Sequence, residues 1–288
     1  QTPLVSINSG TLRLTTATSI WDFADVSVAS GAVWDMGGFS ETVGSIAGLG
    51  TIRNGSTLTL SYNNPSLTTV FGGTMEGGLA LVKNGATGVL ELTGLNTYTG
   101  LTTIGQGVIR VKHANGLGAT SSGTVVSDGA SMQLDGGITL AAEPITLNGT
   151  GGGSGALRNM TGTNTITGAI TLGTPAVRMN SDAGVLAISA SVANPIGLTF
   201  GGVANHEVSG SISGTSFVTK DGTGSLSLRG NNSYGGLTTV SLGKLFVESA
   251  NALGSTGTGT TVTSGASLQV QGGITVAAEP LTINGSMV

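Results

Sequence analysis

The chain has 288 residues, a formal net charge of −4 and no cysteine. The absence of cysteine excludes a disulfide scaffold and a thiolate metal site, and the ten Lys and Arg residues are too scattered to neutralise a nucleic-acid backbone. The sequence contains no run of about 18 apolar residues, so it predicts no membrane-spanning helix. Aromatic residues make up only 4% of the chain, so any core must consist mainly of Val, Leu, Ile and Ala.

The first distinctive segment contains four aromatic residues, Trp21, Phe23, Trp34 and Phe39. One interpretation is a surface that docks a glycan or a protein ligand. The other is local packing, at wider coils or beneath a protruding loop. Single exposed apolar residues are common on protein surfaces and need no special function, so packing is the favoured interpretation. The docking surface is kept as the alternative.

Short segments with strand-like composition follow one another through the middle of the chain. Each is bounded by Gly, Asn, Asp or Ser, which are common turn residues. Apolar and polar residues alternate in several of them, so every second side chain faces the same side. No segment has the apolar spacing of an amphipathic helix. The predicted strands are residues 89–92, 108–111, 124–126, 132–134, 138–140 and 145–147.

The chain contains an internal duplication. Residues 90–149 align without a gap on residues 226–285, with 34 of 60 positions identical, inside a longer repeat that we place at 83–150 and 220–286. Two β-sandwich domains would need longer alternating strands and hairpins. Short strands, Gly-rich corners and few aromatic residues instead favour stacked coils that bury their apolar faces against each other. At ~22 residues per coil, the sequence predicts one continuous β-solenoid of roughly 13 coils over residues 1–288.

Both copies contain the same spaced set of residues. In the first copy they are Lys83, Gly85, Gly94, Asn96, Tyr98, Gly100 and Thr102, and in the second Lys220, Gly222, Gly230, Asn232, Tyr234, Gly236 and Thr238. The sequence Asn-Ala-Leu-Gly at 251–254 closes the second copy, and Asn-Gly-Leu-Gly at 115–118 is its counterpart in the first. This pattern closely resembles the bacterial autotransporter-associated β-strand repeat, also called the passenger-associated transport repeat.

The resemblance implies a right-handed parallel β-helix that crosses the outer membrane. It also implies an extracellular location, either displayed on the bacterial cell surface or released from it. Members of the family are often very large, so we expect the chain to be a segment of a larger protein.

The repeated side chains are interpreted as structural. Tyr98 and Tyr234 are expected to pack at a corner of a coil rather than to stack on a ligand. Asn96 and Asn232 are expected to form a turn or a side-chain ladder. The two repeated lysines are expected to cap carbonyl groups or to point to solvent.

Few residues are suited to catalysis or metal binding. The two histidines, His113 and His206, are predicted to lie at the surface, and neither has a companion at metal-ligand spacing. A polysaccharide-degrading β-helix enzyme would need clustered carboxylates, but Asp128 and Asp135 correspond to Ser264 and Gln271 in the second copy. We therefore predict no enzyme, no cofactor and no metal.

The sequence thus predicts a structural or adhesive passenger segment that forms a rigid rod or part of an extracellular fibre. Self-association, end to end or lateral, is compatible with exposed strand edges. The first alternative is an adhesin module that binds a surface glycan or host protein. The second is the polysaccharide-degrading enzyme, which the isolated carboxylates disfavour.

Overall fold

The structure is a computed structural model that describes residues 3–61, 67–173, 177–276 and 278–284. Within these ranges the chain forms only strands, turns and bends, and it is an all-β parallel β-solenoid of about 13 turns, which confirms the predicted fold class. None of the described residues belongs to a helix able to span a membrane. The predicted residues 277, 285 and 286 of the second copy lie outside the described ranges.

The chain divides into two compact units. The first comprises Gln1–Gln133 and Glu143–Ile145, and the second comprises Leu134–Ala142 and Thr146–Val288. The strands of the first unit, of which the last ends just beyond it, are β1 (Leu4–Ile7), β2 (Thr11–Arg13), β3 (Asp25–Val28), β4 (Val33–Asp35), β5 (Glu41–Val43), β6 (Ser45–Gly48), β7 (Thr51–Arg53), β8 (Thr57–Leu60), β9 (Thr68–Phe71), β10 (Thr74–Glu76), β11 (Ala80–Lys83), β12 (Val89–Leu92), β13 (Thr102–Ile104), β14 (Val108–Val111), β15 (Thr124–Val126) and β16 (Ser131–Asp135).

The first unit has three parallel sheets, because successive strands of the chain belong to different sheets. Their orders are β1-β3-β6-β9-β12-β14-β16, β2-β4-β7-β10 and β5-β8-β11-β13-β15. Residues pair in register between coils, as when Leu90 and Leu92 of β12 pair with Ile109 and Val111 of β14. All four side chains are buried, so each coil covers the apolar face of its neighbour.

The second unit repeats this arrangement. Its strands are β17 (Thr139–Leu140), β18 (Ile145–Leu147, which begins one residue before the unit), β19 (Leu157–Thr161), β20 (Thr163–Ile166), β21 (Ile170–Leu172), β22 (Val177–Ser181), β23 (Val185–Ile188), β24 (Val192–Ala193), β25 (Leu198–Gly202), β26 (Asn205–Val208), β27 (Ile212–Ser213), β28 (Val218–Lys220), β29 (Ser225–Leu228), β30 (Thr238–Val240), β31 (Gly243–Val247), β32 (Thr260–Val262), β33 (Ala266–Val270) and β34 (Leu281–Ile283). Its sheets have the orders β19-β22-β25-β28-β30-β32-β34, β17-β20-β23-β26-β29-β31-β33 and β18-β21-β24-β27.

The predicted strands in the middle of the chain are confirmed with small changes in length. The predicted strand 132–134 extends by one residue at each end, and the predicted strand 138–140 begins at residue 139. The repeat motif itself is different, because residues 93–101 and 229–237 contain no strand. In each unit the motif therefore replaces a strand in one wall of the solenoid.

Candidate functional site

The four aromatic residues of the predicted docking patch do not share one surface. Trp34 alternates inward in β4, pairs in register with Ile52 of β7 and is fully buried, so the alternative that includes it in a docking surface is wrong for this residue, and its position fits the favoured interpretation of local packing. Phe39 is partly exposed. Trp21 and Phe23 remain, and they expose 68% and 56% of their surface. Any docking surface in this region must rest on these two rings.

Residues 15–23, here called the aromatic loop, lie between β2 and β3. The backbone of this loop is hydrogen-bonded to one buried carboxyl group. Glu41 of β5 is buried, and its two oxygens accept hydrogen bonds from the backbone N–H groups of Ser19 (3.0 Å) and Ile20 (2.9 Å). The Ser61 hydroxyl donates to a backbone carbonyl of the loop at 2.7 Å. Buried backbone N–H groups are costly to leave without a partner, so these contacts fix the loop backbone.

The repeated asparagines replace backbone groups in the ladder of hydrogen bonds. The Asn96 amide oxygen accepts the Met75 backbone N–H (2.8 Å), and its amide nitrogen donates to the Gly116 carbonyl (2.7 Å). Asn232 makes the same two contacts with its neighbouring coils, at 2.8 and 2.6 Å. Each asparagine thus joins three successive coils where the strand is interrupted. The expectation of a structural role is consistent with these contacts.

The repeated tyrosines are fully buried beside these asparagines. The Tyr98 hydroxyl lies 2.6 Å from the Thr102 hydroxyl, and the Tyr234 hydroxyl lies 2.7 Å from that of Thr238. Gly118, at φ +88°, lies so close to the Tyr98 ring that an added Cβ would be 2.9 Å from a ring carbon. Neither ring can therefore stack on a ligand, and each fills a corner of its coil.

A carboxyl group lies near each tyrosine, and it is buried at Glu143 and partly exposed at Glu279. Glu143 accepts a hydrogen bond from the Thr124 hydroxyl at 2.9 Å, and Glu279 accepts the equivalent bond from Thr260, also at 2.9 Å. Burial raises the pKa of Glu143 to about 7, against the lowering effect of its hydrogen bond, and burial also raises the pKa of Glu279. Near neutral pH, Glu143 is therefore close to its midpoint of protonation.

The repeated lysines cap carbonyl groups. The Lys83 ammonium donates to the Gly85 carbonyl at 2.6 Å, and the Lys220 ammonium donates to the carbonyls of Asp221 (2.7 Å) and Gly222 (2.8 Å). Both side chains are buried, and burial lowers the pKa of each to about 8. Because the carbonyl oxygens of the following turn occupy these ammonium groups, the geometry suits turn stabilisation rather than catalysis.

His206 is fully buried, so the prediction that it lies at the surface is wrong. Its Nε2 is hydrogen-bonded to the Gly201 carbonyl at 2.7 Å, its Nδ1 has no partner, and burial lowers the pKa of the imidazole to about 4. In register with it, Leu186 of β23 and Leu226 of β29 point inward. The imidazole is thus a neutral core residue, whereas His113 is partly exposed.

In the part of the chain that the structure covers, no group of three or more His, Asp or Glu side chains is arranged to hold a metal ion. The polar groups of the repeat motif bond to each other and to the backbone. The arrangement supplies hydrogen-bond partners for backbone N–H and C=O groups where a strand is interrupted.

Three acidic residues, Glu41, Glu143 and Glu279, were not identified from the sequence, and the burial of His206 was not predicted. Glu143 and Glu279 lie in the identical segments Ala-Ala-Glu-Pro at 141–144 and 277–280, and this repetition was a usable signal. Glu41 and His206 have no repeated counterpart. Their roles depend on which side of a strand faces inward, and a single substitution in an alternating pattern does not reveal that.

Comparisons with known proteins agree with the repeated motif. Residues 81–111 and 218–245 match the family described as Passenger-associated-transport-repeat. Over 235 residues the chain is 31% identical to the adhesin BmaC autotransporter of Brucella suis biovar 1 (strain 1330). This alignment covers 76% of the chain but only 6% of that relative. No solved structure matches the chain. The family matches confirm the resemblance found in the sequence.

Proposed function

Because the chain carries two passenger-associated transport repeats, we propose that it is a structural and adhesive segment of a bacterial surface passenger. In this role the stacked coils hold the chain in a fixed form outside the cell and present their surface loops. The name of the Brucella relative describes an adhesin autotransporter, which supports an adhesive role and an extracellular location. Export across the outer membrane belongs to the same proposal.

One observation carries the proposal: the side chains that define the repeat are buried, and their polar groups are hydrogen-bonded within the fold. Asn96, Tyr98 and Lys83, together with their counterparts in the second copy, are buried and bonded to neighbouring groups. Side chains that bond to adjacent coils tie those coils together, because each coil depends on its neighbours for its core. The repeat therefore serves stability rather than chemistry.

A non-enzymatic role is part of the proposal. A polysaccharide-degrading β-helix would use a pair of carboxylates or a calcium site on one face. Turnover can be tested by incubating the purified chain with neutral and uronate polysaccharides, with and without calcium. Release of oligosaccharides above the level of a heat-denatured sample would contradict this part of the proposal.

Surface display tests the adhesive role. The chain is fused to a carrier on a non-adherent laboratory bacterium, and binding to host cells and to coated surfaces is counted. The matched control displays an unrelated β-solenoid of equal length on the same carrier. We expect more binding with the chain than with the control. Equal binding would refute the adhesive role, provided that surface protease digestion shows equal display of both proteins.

The rod-like shape and the self-association predicted from the sequence stay predictions. Electron microscopy and light scattering of the purified chain test both together. Elongated particles of monomeric mass would support a spacer, and concentration-dependent filaments would support a fibre component. Round particles would contradict the rod.

A further inference from the structure

The aromatic loop exposes the rings of Trp21 and Phe23 to a large extent. Five aromatic side chains, those of Trp34, Phe71, Tyr98, Phe200 and Tyr234, have no exposed surface. Among the described aromatic residues, only Trp21 and Phe23 are more than half exposed. Holding two large rings in water is unfavourable, and such exposure is typical of a binding surface.

The loop is built as a fixed support for these rings. Glu41 pairs in register with Leu58, which is a core position, so the fold buries a carboxylate where an apolar side chain would fit. That carboxylate holds the backbone at Ser19 and Ile20, directly before Trp21. A hydrogen bond from the Ala24 backbone N–H to the Trp21 carbonyl (2.8 Å) then closes a turn around Phe23. Fixing a binding group before the ligand arrives lowers the entropic cost of binding.

The residues of the loop that surround the two rings are mostly polar. The exposed residues beside the rings include Thr15, Asp22 and three further hydroxyl-bearing residues. Among residues 15–23 the one Asp, Glu, Lys or Arg side chain is that of Asp22, and the exposed Arg13 precedes the loop at the end of β2. The loop itself thus contains no cationic side chain that could pair with the phosphate or carboxylate groups of an anionic polymer. Separate rings among hydroxyl and carboxylate groups match a ligand that has apolar C–H faces and neutral hydroxyl groups.

We propose that the aromatic loop is a binding site for a neutral carbohydrate, with the Trp21 and Phe23 rings lying against the sugar faces and Asp22 accepting hydrogen bonds from sugar hydroxyls. Glu41 is a positioning residue, because it acts through the loop backbone. This inference rests on the adhesive role proposed above and names the chemical class of its ligand.

The two tryptophans make a direct test available. Trp34 is buried, so acrylamide quenches mainly the fluorescence of Trp21. We expect that a neutral oligosaccharide from a panel of gluco-, galacto- and chito-oligosaccharides protects Trp21 from quenching, and that oligogalacturonate does not. Calorimetry with the protecting sugar is expected to show at least about a tenfold loss of affinity in Trp21→Ala and in Phe23→Ala.

Two further variants distinguish binding at the aromatic loop from the loss of any exposed apolar side chain and test the support of the loop by Glu41. Leu95→Ala removes another exposed apolar side chain outside the loop and is expected to leave the affinity unchanged. Glu41→Leu places an apolar side chain at this core position but removes the two hydrogen bonds to the loop backbone. It is therefore expected to weaken binding several-fold and to speed hydrogen exchange at Ser19 and Ile20. Equal loss in Leu95→Ala and Trp21→Ala would overturn the proposal.

The surface-display assay distinguishes a failure of this site from a failure of the adhesive role. Adhesion that persists in Trp21→Ala, without protection by any neutral sugar, refutes the carbohydrate site and leaves the adhesive role in place. Adhesion that is lost in Trp21→Ala, again without sugar protection, shows a protein partner at the loop and also refutes the carbohydrate site. Absence of adhesion in the unaltered chain refutes the adhesive role itself.

Discussion

Asn232 occupies a point where the backbone leaves the strand conformation and two neighbouring coils lose their usual partners. Its amide group offers N–H donors and a carbonyl acceptor, as a peptide group does, so it can bond to the coil on either side. A buried N–H or C=O without a partner costs about 1–3 kcal/mol. The side chain therefore has more effect on stability than a surface asparagine.

Substitution of Asn232 with Ala is expected to lower the free energy of unfolding by about 2–4 kcal/mol, because it leaves the Ile212 N–H and the Ala252 carbonyl without their partner. Chemical denaturation followed by circular dichroism measures the loss. The adjacent Asn231 is exposed and accepts a hydrogen bond from the exposed Asn251 side chain at 2.7 Å, so Asn231→Ala is the matched control. Equal losses in the two variants would contradict the role given to the buried amide.

At the scale of the element, the motif segments lie very close to the neighbouring coil. An added Cβ on Gly94 would lie 2.1 Å from the Gly73 carbonyl oxygen, and one on Gly230 would lie 2.0 Å from that of Gly210. These distances are far below van der Waals contact, and the neighbouring atoms belong to the backbone. The glycines at these positions are thus required by the spacing between coils.

Gly94→Ala is expected to destabilise the first unit by at least about 2–3 kcal/mol, because the coil must move away from its neighbour to accommodate the methyl group. Hydrogen exchange at β12 and β14 and the thermal midpoint report the effect. Gly78→Ala is the control, since nothing lies within 4 Å of an added Cβ there. If Gly94→Ala were as stable as Gly78→Ala, the close approach would not be a constraint.

The elements were predictable from sequence where the side-chain pattern has a period of two. The strand 89–92 alternates, is flanked by Gly, and was found at those residues. The motif between Gly94 and Thr102 was recognised as a unit, but its lack of strand structure depends on side-chain bonds between coils. For Trp34 the sequence favoured packing but left a docking surface open, because an aromatic residue in a short strand fits either side of the sheet until the register with neighbouring coils is known.

Across the whole molecule, two buried groups give stability opposite dependences on pH. Glu143 belongs to the first unit and has a pKa raised to about 7, and His206 belongs to the second unit and has a pKa lowered to about 4. A raised carboxyl pKa means that the fold favours the neutral acid, so stability falls as the pH rises from 4.5 to about 7. A lowered imidazole pKa means that stability falls as the pH drops from 6.5 to about 4.

Glu143→Gln is expected to stabilise the first unit by roughly 1–3 kcal/mol at about pH 8 and to have little effect at about pH 5. The amide is neutral at both pH values and its oxygen can still accept the Thr124 hydrogen bond. Urea denaturation at the two pH values measures the difference. Glu76→Gln, at a partly exposed position of the same unit, is the control. A stabilisation independent of pH would show that ionisation of Glu143 is not its cause.

His206→Leu is expected to remove the loss of stability of the second unit between about pH 6.5 and pH 4, because no imidazole then needs to take up a proton on unfolding. The new side chain matches Leu186 and Leu226 in the same column and removes the Nδ1 atom that lacks a partner, although the Gly201 carbonyl loses its hydrogen bond. Hydrogen exchange of β23, β26 and β29 across this pH range follows the second unit alone. His113→Gln alters a partly exposed histidine of the first unit and is expected to leave those strands unchanged. If acid still destabilised β26 in His206→Leu to the same extent, another group would have to take up the proton.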